Sequence, residues 1–390
     1  MKGDFDYSHS RTNVRFGRGR RDEVGEVAAR HGDDALVVTT RNAMQEAGFL
    51  DDVLTSLEGA GVSAAVYDDA DPNPTVSNVV DCVETAPDAE LVVALGGGSP
   101  TDVAKAAVLS LASFDSVPSI EDVWEYASGE KRVEDAVPLV ALPSTSGTGS
   151  HVDPWAVVTR ADERAKVGFG GGALVPKEAV VDADIPDEMP ADLTARTGFD
   201  AFCHLNEAYV ARTANALTDA NALRGMEIVN RNLRHSVEGS SEARDAMAVA
   251  DTLAGFCETT SSTVATHGLA HAISAYEPDV AHGDALASVA SEVAAYNVEN
   301  GDDETKRRYG EIAETLGFPV ADRKLDAPFV ADAFDEFVAE LRLDHSVGDL
   351  TDATPDELAE NTVENMGFVL KNNPVEVEME DLVGILEEAY

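Results

Sequence analysis

The stretch Glu90-Leu91-Val92-Val93-Ala94-Leu95-Gly96-Gly97-Gly98-Ser99-Pro100-Thr101-Asp102-Val103-Ala104-Lys105 decides the fold. Its first six residues read as a strand, and the apolar run Leu91–Leu95 within them is the pattern of a strand buried on both faces. Three glycines follow, and then a helix start. Strand, glycine cluster and helix start make a phosphate-binding arrangement. Glycines let the backbone approach a ligand, and the helix N-terminus offers free N–H groups and the positive end of its dipole. The run fits neither the GxGxxG nor the GxxxxGK[ST] fingerprint. Ser99, Asp102 and Lys105 follow at one-turn spacing and strengthen the phosphate reading.

Working outward, the same texture repeats. Residues 35–40 (ALVVTT) and 63–67 (SAAVY) read as further strands, with helices at 22–31 and 49–57 beside them. Pro72-Asn73-Pro74-Thr75 is a turn opening a helix. Residues 137–143 (VPLVALP) are a fourth strand, running into Ser144-Thr145-Ser146-Gly147-Thr148-Gly149-Ser150. Strands alternating with helices predict an open parallel α/β sheet. Ligands in such sheets sit at the carboxyl ends of the strands, so the two small-residue loops are expected to hold one ligand. The apolar segment 155–158 comes next, then a hairpin turn at 162–166. The first fifteen residues read as an exposed arm or edge strand.

From Met189 the strand signals vanish. Ala-rich helical segments take over at 193–211, 217–233, 241–265, 284–296 and 304–316. This predicts an α/β domain over 1–188 and an all-helical domain over 189–390. The helical part carries two i, i+4 pairs, Asp200 with His204 and His267 with His271, each on one helix face. His282 follows a break at Glu277-Pro278-Asp279. A carboxylate and imidazoles converging from facing helices make a divalent-metal site suited to zinc or ferrous iron.

The chain has 390 residues, 44% hydrophobic, with 73 Asp and Glu against 28 Lys and Arg, a formal charge of −45. That charge argues against nucleic acid and against anionic membrane surfaces. No long apolar run and no signal-like N-terminus is found, so a cytoplasmic location is expected. The acidity is spread along the whole chain, and only eight basic residues are Lys. A folded protein this anionic repels itself in dilute buffer, which predicts adaptation to a salty cytoplasm. The three cysteines, Cys82, Cys203 and Cys257, have no CxxC spacing and predict neither disulfides nor a thiolate metal site.

Taken in order, the Gly96–Lys105 run, Pro143–Ser150, Asp200-Ala201-Phe202-Cys203-His204, His267-Gly268-Leu269-Ala270-His271, and the closing Asn373-Pro374 with a final acidic helix resemble the iron-containing (group III) alcohol dehydrogenase family. The resemblance spans nearly the whole chain. It implies an α/β N-terminal domain with a parallel Rossmann-like sheet, plus an all-α C-terminal domain, in a dehydroquinate synthase-like architecture. It also implies a metal in the cleft between the domains, Fe²⁺ or Zn²⁺, held by Asp200, His204, His267 and His282. His271 would lie near the metal and relay a proton, titrating near neutrality. Gly97, Gly98 and Ser99 would hold the pyrophosphate of NAD or NADP. Asp102, Thr145, Thr148 and Lys166 would line the nicotinamide end, with Asn73 and Ser144 completing the cofactor loops.

Two departures stand out. The family usually has Glu where this chain has His151. NAD-preferring relatives often carry Asp at the end of the first strand, where this chain has Thr40-Arg41. Loss of that carboxylate removes a repulsion, and Arg41 can pair with a 2′-phosphate, so NADP is favoured over NAD. The implied reaction is reversible hydride transfer between NAD(P) and a small alcohol, aldehyde or ketone. A maleylacetate-type keto-acid reductase and a dehydroquinate synthase-like lyase without net cofactor turnover are the alternatives. A homodimer through the N-terminal edge strand is also implied.

Overall fold

The computed structural model describes residues 12–320 and 325–390. These fall into two compact units. One comprises residues 12–163 with Val167–Met189; the other comprises Pro190–Tyr390 with Arg164–Lys166.

The first unit holds β1 (Asn13–Gly17), α1 (Val24–Ala28), β2 (Asp34–Thr39), α2 (Ala43–Glu46), α3 (Phe49–Gly59), β3 (Ser63–Tyr67) and α4 (Val76–Thr85). It continues with β4 (Leu91–Gly96), α5 (Gly98–Ser113), α6 (Ile120–Ala127), β5 (Leu139–Pro143), β6 (Trp155–Arg160), β7 (Ala165–Gly170) and β8 (Glu178–Asp182). Six strands form one parallel sheet in the order β1-β8-β5-β4-β2-β3, and β6 pairs with β7 separately. The central strands β4 and β5 are buried at every residue, as their unbroken apolar runs require. Leu36, Val38, Val92 and Ala94 point to the side covered by α4, α5 and α6. Val37, Val93, Leu95 and Val140 point to the side covered by α1 and α3.

The order of the chain reverses between β2 and β4. The topological switch point therefore lies where Thr39 and Gly96 end their strands, the place where open α/β sheets bind ligands. Two sequence expectations need correction here. The strand β8, between β1 and β5, gave no reading of its own. The helix expected over 22–31 is a 3-10 turn, Arg20–Glu23, followed by the short α1. The expected arm falls mostly outside the described residues, and only β1, a sheet edge, is described.

The second unit contains α7 (Ala191–Val210), α8 (Ala216–Val237), α9 (Ser241–Thr260), α10 (Ala265–Tyr276), α11 (His282–Asn300), α12 (Asp303–Thr315), α13 (Ala327–Leu341), α14 (Val347–Leu350), α15 (Pro355–Leu370) and α16 (Met379–Ala389). Its core runs through α7, where Phe199 and Phe202 meet Phe334 and Phe337 at ring separations of 5.1–6.0 Å. The helix expected over 241–265 ends earlier, at Thr260. The chain leaves helical geometry at Ser261, whose hydroxyl donates to Ala208 O, and α10 begins only at Ala265. No helix among the described residues is long and apolar enough to cross a membrane.

One cation ties three helices of this unit. Arg308 on α12 is buried and donates to both carboxylate oxygens of Asp219 on α8 (2.8 and 2.9 Å). It also donates to Tyr209 O on α7 (2.7 Å) and to Glu304 (3.1 Å). Removing one partner of a buried pair leaves the other uncompensated, at a cost of about 3–5 kcal/mol when both are dry. Asp219 keeps some solvent, so Arg308→Leu is expected to cost about 3 kcal/mol. Urea unfolding of the variant against the parent checks this; a loss of under about 1 kcal/mol would contradict it.

Candidate functional site

Most long helices of the second unit are capped by their own N-cap side chain, as with Asn215, Ser240, Asp302 and Thr354. The three that carry the clustered histidines are not: the N-cap residues of α7, α10 and α11 are Pro190, Val264 and Ala281, none of which has a capping side chain. Neighbours satisfy the start of α10 and fasten the start of α11, and those contacts build the site.

Glu207, buried on α7, does this for α10. Its Oε2 accepts Val264 N (2.6 Å) and His267 N (3.4 Å), and its Oε1 lies 2.6 Å from His267 Nδ1. Asn373 Oδ1 accepts Ala265 N, and its amide donates to Asn297 Oδ1 at 2.6 Å. The resemblance drew attention to Asn373-Pro374; its structural task is this second cap. For α11, Gly283 lies against the α7 backbone. A Cβ there would come within 2.5–2.8 Å of Arg196 main-chain atoms, so glycine permits the approach. Arg196 then clamps Asp284 in the first turn of α11 at 2.9 Å.

These contacts bring Asp200, His204, His267 and His282 together. Nε2 of the three histidines lies 3.4, 3.6 and 3.9 Å from Asp200 Oδ1, in that order. Ligand atoms of Asp200, His267 and His282 fall within 4.8 Å of one another. The His204 and His267 ring centres are 4.4 Å apart. Glu258 on α9 stands 3.0 Å from His204 Nδ1. Glu207 and Glu258 are functional candidates that sequence reading missed, because an isolated Glu in so acidic a chain carries no signal.

Hydrogen-bond polarity fixes the chemistry of His267. The groups facing the Glu207 carboxylate are donors, so His267 Nδ1 carries a proton, and Nε2, turned toward Asp200, is the atom left for a metal. A metal needs that tautomer, set by a carboxylate behind the ring. Burial alone depresses His204, but Glu258 and Asp200 outweigh it and hold it at about 10. Burial likewise opposes protonation of His267, and Glu207 again prevails. His271 and His282 are pushed well below the usual range by burial first and the Lys166 ammonium second. The carboxylates thus call for positive charge at a point where Asp200 Oδ1 and His267 Nε2 are buried without hydrogen-bond partners. A divalent cation fits that donor set.

His271 lies one turn after His267, its ring 5.3 Å from that of His282, and it bonds to the Lys166 backbone. The expectation that it titrates near neutrality is not met: a buried imidazole beside an ammonium stays neutral. Lys166 belongs to the hairpin tip that groups with the helical unit. There Arg164 stacks on Tyr276 (4.6 Å) and gives its carbonyl to Asn361 (2.8 Å).

In the sheet unit, β4 runs into α5 with one residue between them. Gly96 has φ +152, and a Cβ there would strike Pro100 at 2.4 Å, so the turn requires glycine. Gly97 faces Thr145 and Gly98 faces Thr148; a Cβ at either would meet those side chains at 2.9 Å. Ser144 N donates to Gly96 O at 2.9 Å, and Ser99 donates to Pro72 O beside Asn73. The glycine loop, the hydroxyl loop and the Asn73 turn are therefore contiguous. As first-turn residues of α5, Gly98 and Ser99 keep amides that the helix does not use.

Lys105 corrects its sequence reading: it is fully buried and does not serve the phosphate loop. Arg41 is exposed and ion-paired with Asp69. His151 is buried, and burial followed by the Lys105 charge pushes it down to about 3, so it is neutral.

Exchange of the Glu207 carboxylate for an amide puts an N–H group against donors. Glu207→Gln is expected to weaken divalent-metal affinity about 10–100-fold. Competition with a chromophoric chelator measures this, and unchanged affinity would contradict it.

The model of the iron-containing alcohol dehydrogenase family matches residues 11–183, and that of its C-terminal domain matches residues 194–390. Lactaldehyde reductase of Escherichia coli is 32% identical over 313 residues, 80% of each chain. NADPH-dependent butanol dehydrogenase of Clostridium saccharobutylicum is 31% identical over 78% of this chain and 76% of its own. Among solved structures, an archaeal halo-thermophilic alcohol dehydrogenase from a Red Sea brine pool superposes with TM-score 0.94, at 37% identity and full coverage of both chains. An iron-containing alcohol dehydrogenase of Thermotoga maritima gives TM-score 0.85 at 29% identity and 99% coverage of each. The chain belongs to the iron-containing alcohol dehydrogenase family, and with it to the metal-dependent, NAD(P)-linked oxidoreductases of alcohols and aldehydes.

Proposed function

We propose that this protein reversibly transfers hydride between NADP and a small alcohol or aldehyde in a salt-rich cytoplasm, with Fe²⁺ or Zn²⁺ held by Asp200, His204, His267 and His282. The convergence of three imidazole Nε2 atoms on one buried carboxylate oxygen carries this reading. When bound, the metal supplies a Lewis acid for the substrate oxygen. Asp200 contributes the negative charge of the ligand set, Glu207 holds His267 in the binding tautomer, and the Glu258 carboxylate stands behind His204 at 3.0 Å from Nδ1. His271 stays neutral, bonds to the Lys166 backbone and so helps to fix that lysine. The Lys166 ammonium supplies positive charge beside His271 and His282, where negative charge on a substrate oxygen would be stabilised.

Gly97, Gly98 and Ser99 are assigned to the pyrophosphate, with Asn73, Ser144, Thr145, Thr148 and Asp102 around it and Lys166 at the nicotinamide end. The uncharged Thr40 and the exposed Arg41 support NADP over NAD. A 2′-phosphate recruits Arg41 by exchanging it from Asp69, an exposed pair of small worth. The relatives named above are dehydrogenases and reductases, which favours net cofactor turnover over the lyase alternative. An exposed edge strand bearing Val14 and Phe16 supports a homodimer through β1.

The test is absorbance at 340 nm in high KCl. Chelated protein is reloaded with Fe²⁺, Zn²⁺ or Mn²⁺ and given NADPH or NADH with lactaldehyde or butyraldehyde. Turnover returning only with metal, faster with NADPH, is expected; His267→Ala should abolish both metal binding and turnover. Full turnover without metal would overturn the mechanism.

The charge of −45 makes a separate prediction. Screening of self-repulsion should raise the thermal midpoint steadily from dilute buffer into molar KCl. A midpoint independent of KCl would refute the halophilic reading.

A further inference from the structure

Lys105 is a fully buried lysine, about two turns beyond the glycine loop on α5. Its ammonium has three protons and three acceptors in reach: Ser150 Oγ at 2.9 Å, Asp153 Oδ1 at 2.6 Å and Trp155 O at 2.6 Å. Asp153 in turn accepts Trp155 N at 2.7 Å, so the segment after the hydroxyl loop is pinned to the helix. The ammonium has no lone pair. Ser150 Oγ must therefore be the acceptor of that bond, and its single proton is left to donate elsewhere. The partner it meets is Asp102 Oδ1 at 3.4 Å. Along α5, Gly97 and Gly98 abut Thr145 and Thr148, Asp102 meets Ser150, and Lys105 closes the seam.

We propose that Lys105 is a positioning residue for cofactor binding: it holds Ser150 with its hydroxyl proton directed at Asp102, and so aims the Asp102 carboxylate at the nicotinamide end. This rests on the assignment of Asp102 to the cofactor under Proposed function. Asp153, two residues after His151, provides the carboxylate that pairs with Lys105. The buried lysine therefore keeps a counter-charge although His151 is neutral. The chain Asp153–Lys105–Ser150–Asp102 transmits the position of the pinned segment to a half-buried carboxylate.

The test is NADPH binding to full-length protein, followed by nicotinamide fluorescence, with KM and kcat measured in parallel. Ser150→Ala keeps the buried Lys105–Asp153 ion pair and removes the relay, together with one of the three acceptors of the Lys105 ammonium. It is expected to weaken NADPH binding about five- to tenfold and to raise the cofactor KM more than it lowers kcat. The relay requires non-additivity: Ser150→Ala combined with Asp102→Ala should bind no more weakly than Asp102→Ala alone. Lys105→Met with Asp153→Asn, which removes the pair without leaving a buried charge, should reproduce the Ser150→Ala loss. Should that double variant fail to fold, the Ser150–Asp102 cycle still decides. Ser150→Ala binding NADPH like the parent, or losses that add with Asp102→Ala, would overturn the proposal while leaving the dehydrogenase reading intact. Failure of the unaltered protein to bind either NADPH or NADH would overturn both.

Discussion

The helical unit depends on one buried carboxylate. Glu207 accepts two main-chain N–H groups at the start of α10 and the Nδ1–H of His267. A helix whose N-cap is Val cannot satisfy its own first amides, and unpaired buried amides are costly. Docking α10 on α7 is therefore what allows α10 to begin at Ala265. The same bond sets the rotation and tautomer of His267, so folding and site assembly share one interaction. Removing the carboxylate would loosen the helix and free the ring together.

The rest of the site follows from backbone approach and charge. Gly283 lets α11 rest on the main chain of α7 at Arg196, one turn before Asp200, and the Arg196–Asp284 pair fastens it there. His282, the first residue of α11, then projects toward Asp200. The sheet unit uses the same two devices. Glycines 96–98 permit close approach, and a single buried cation, Lys105, fastens the loop that approaches. In a chain with so few basic residues, Arg308, Arg196 and Lys105 are each placed at a junction between elements.

Much of this was legible in the sequence. The strand–glycine–helix run gave the switch-point loop because glycine has few other reasons to occur three times at a strand end. The i, i+4 pairs gave the histidine faces because helical period alone fixes them. Other features were hidden for physical reasons. Lys105 shares a helix with polar loop residues, and its sequence position cannot reveal that its side is buried. The break at Ser261 falls in a run of Thr and Ser that reads as helix, and the carboxylate that makes the break favourable lies more than fifty residues away. The strand β8 is five residues long and earns its place by pairing with β1 and β5, which are remote in sequence. Arg41 looked free for a phosphate, but Asp69, two residues past the end of β3, pairs with it.

The central claim is that one carboxylate and three carboxylate-oriented or helix-held imidazoles form a single metal site. X-ray absorption at the metal edge of the iron- or zinc-loaded protein tests it most directly. The account predicts three imidazole nitrogens and carboxylate oxygen at about 2.0–2.2 Å, with no sulfur. Fewer than three imidazoles, or a sulfur shell near 2.3 Å in the zinc form, would contradict it.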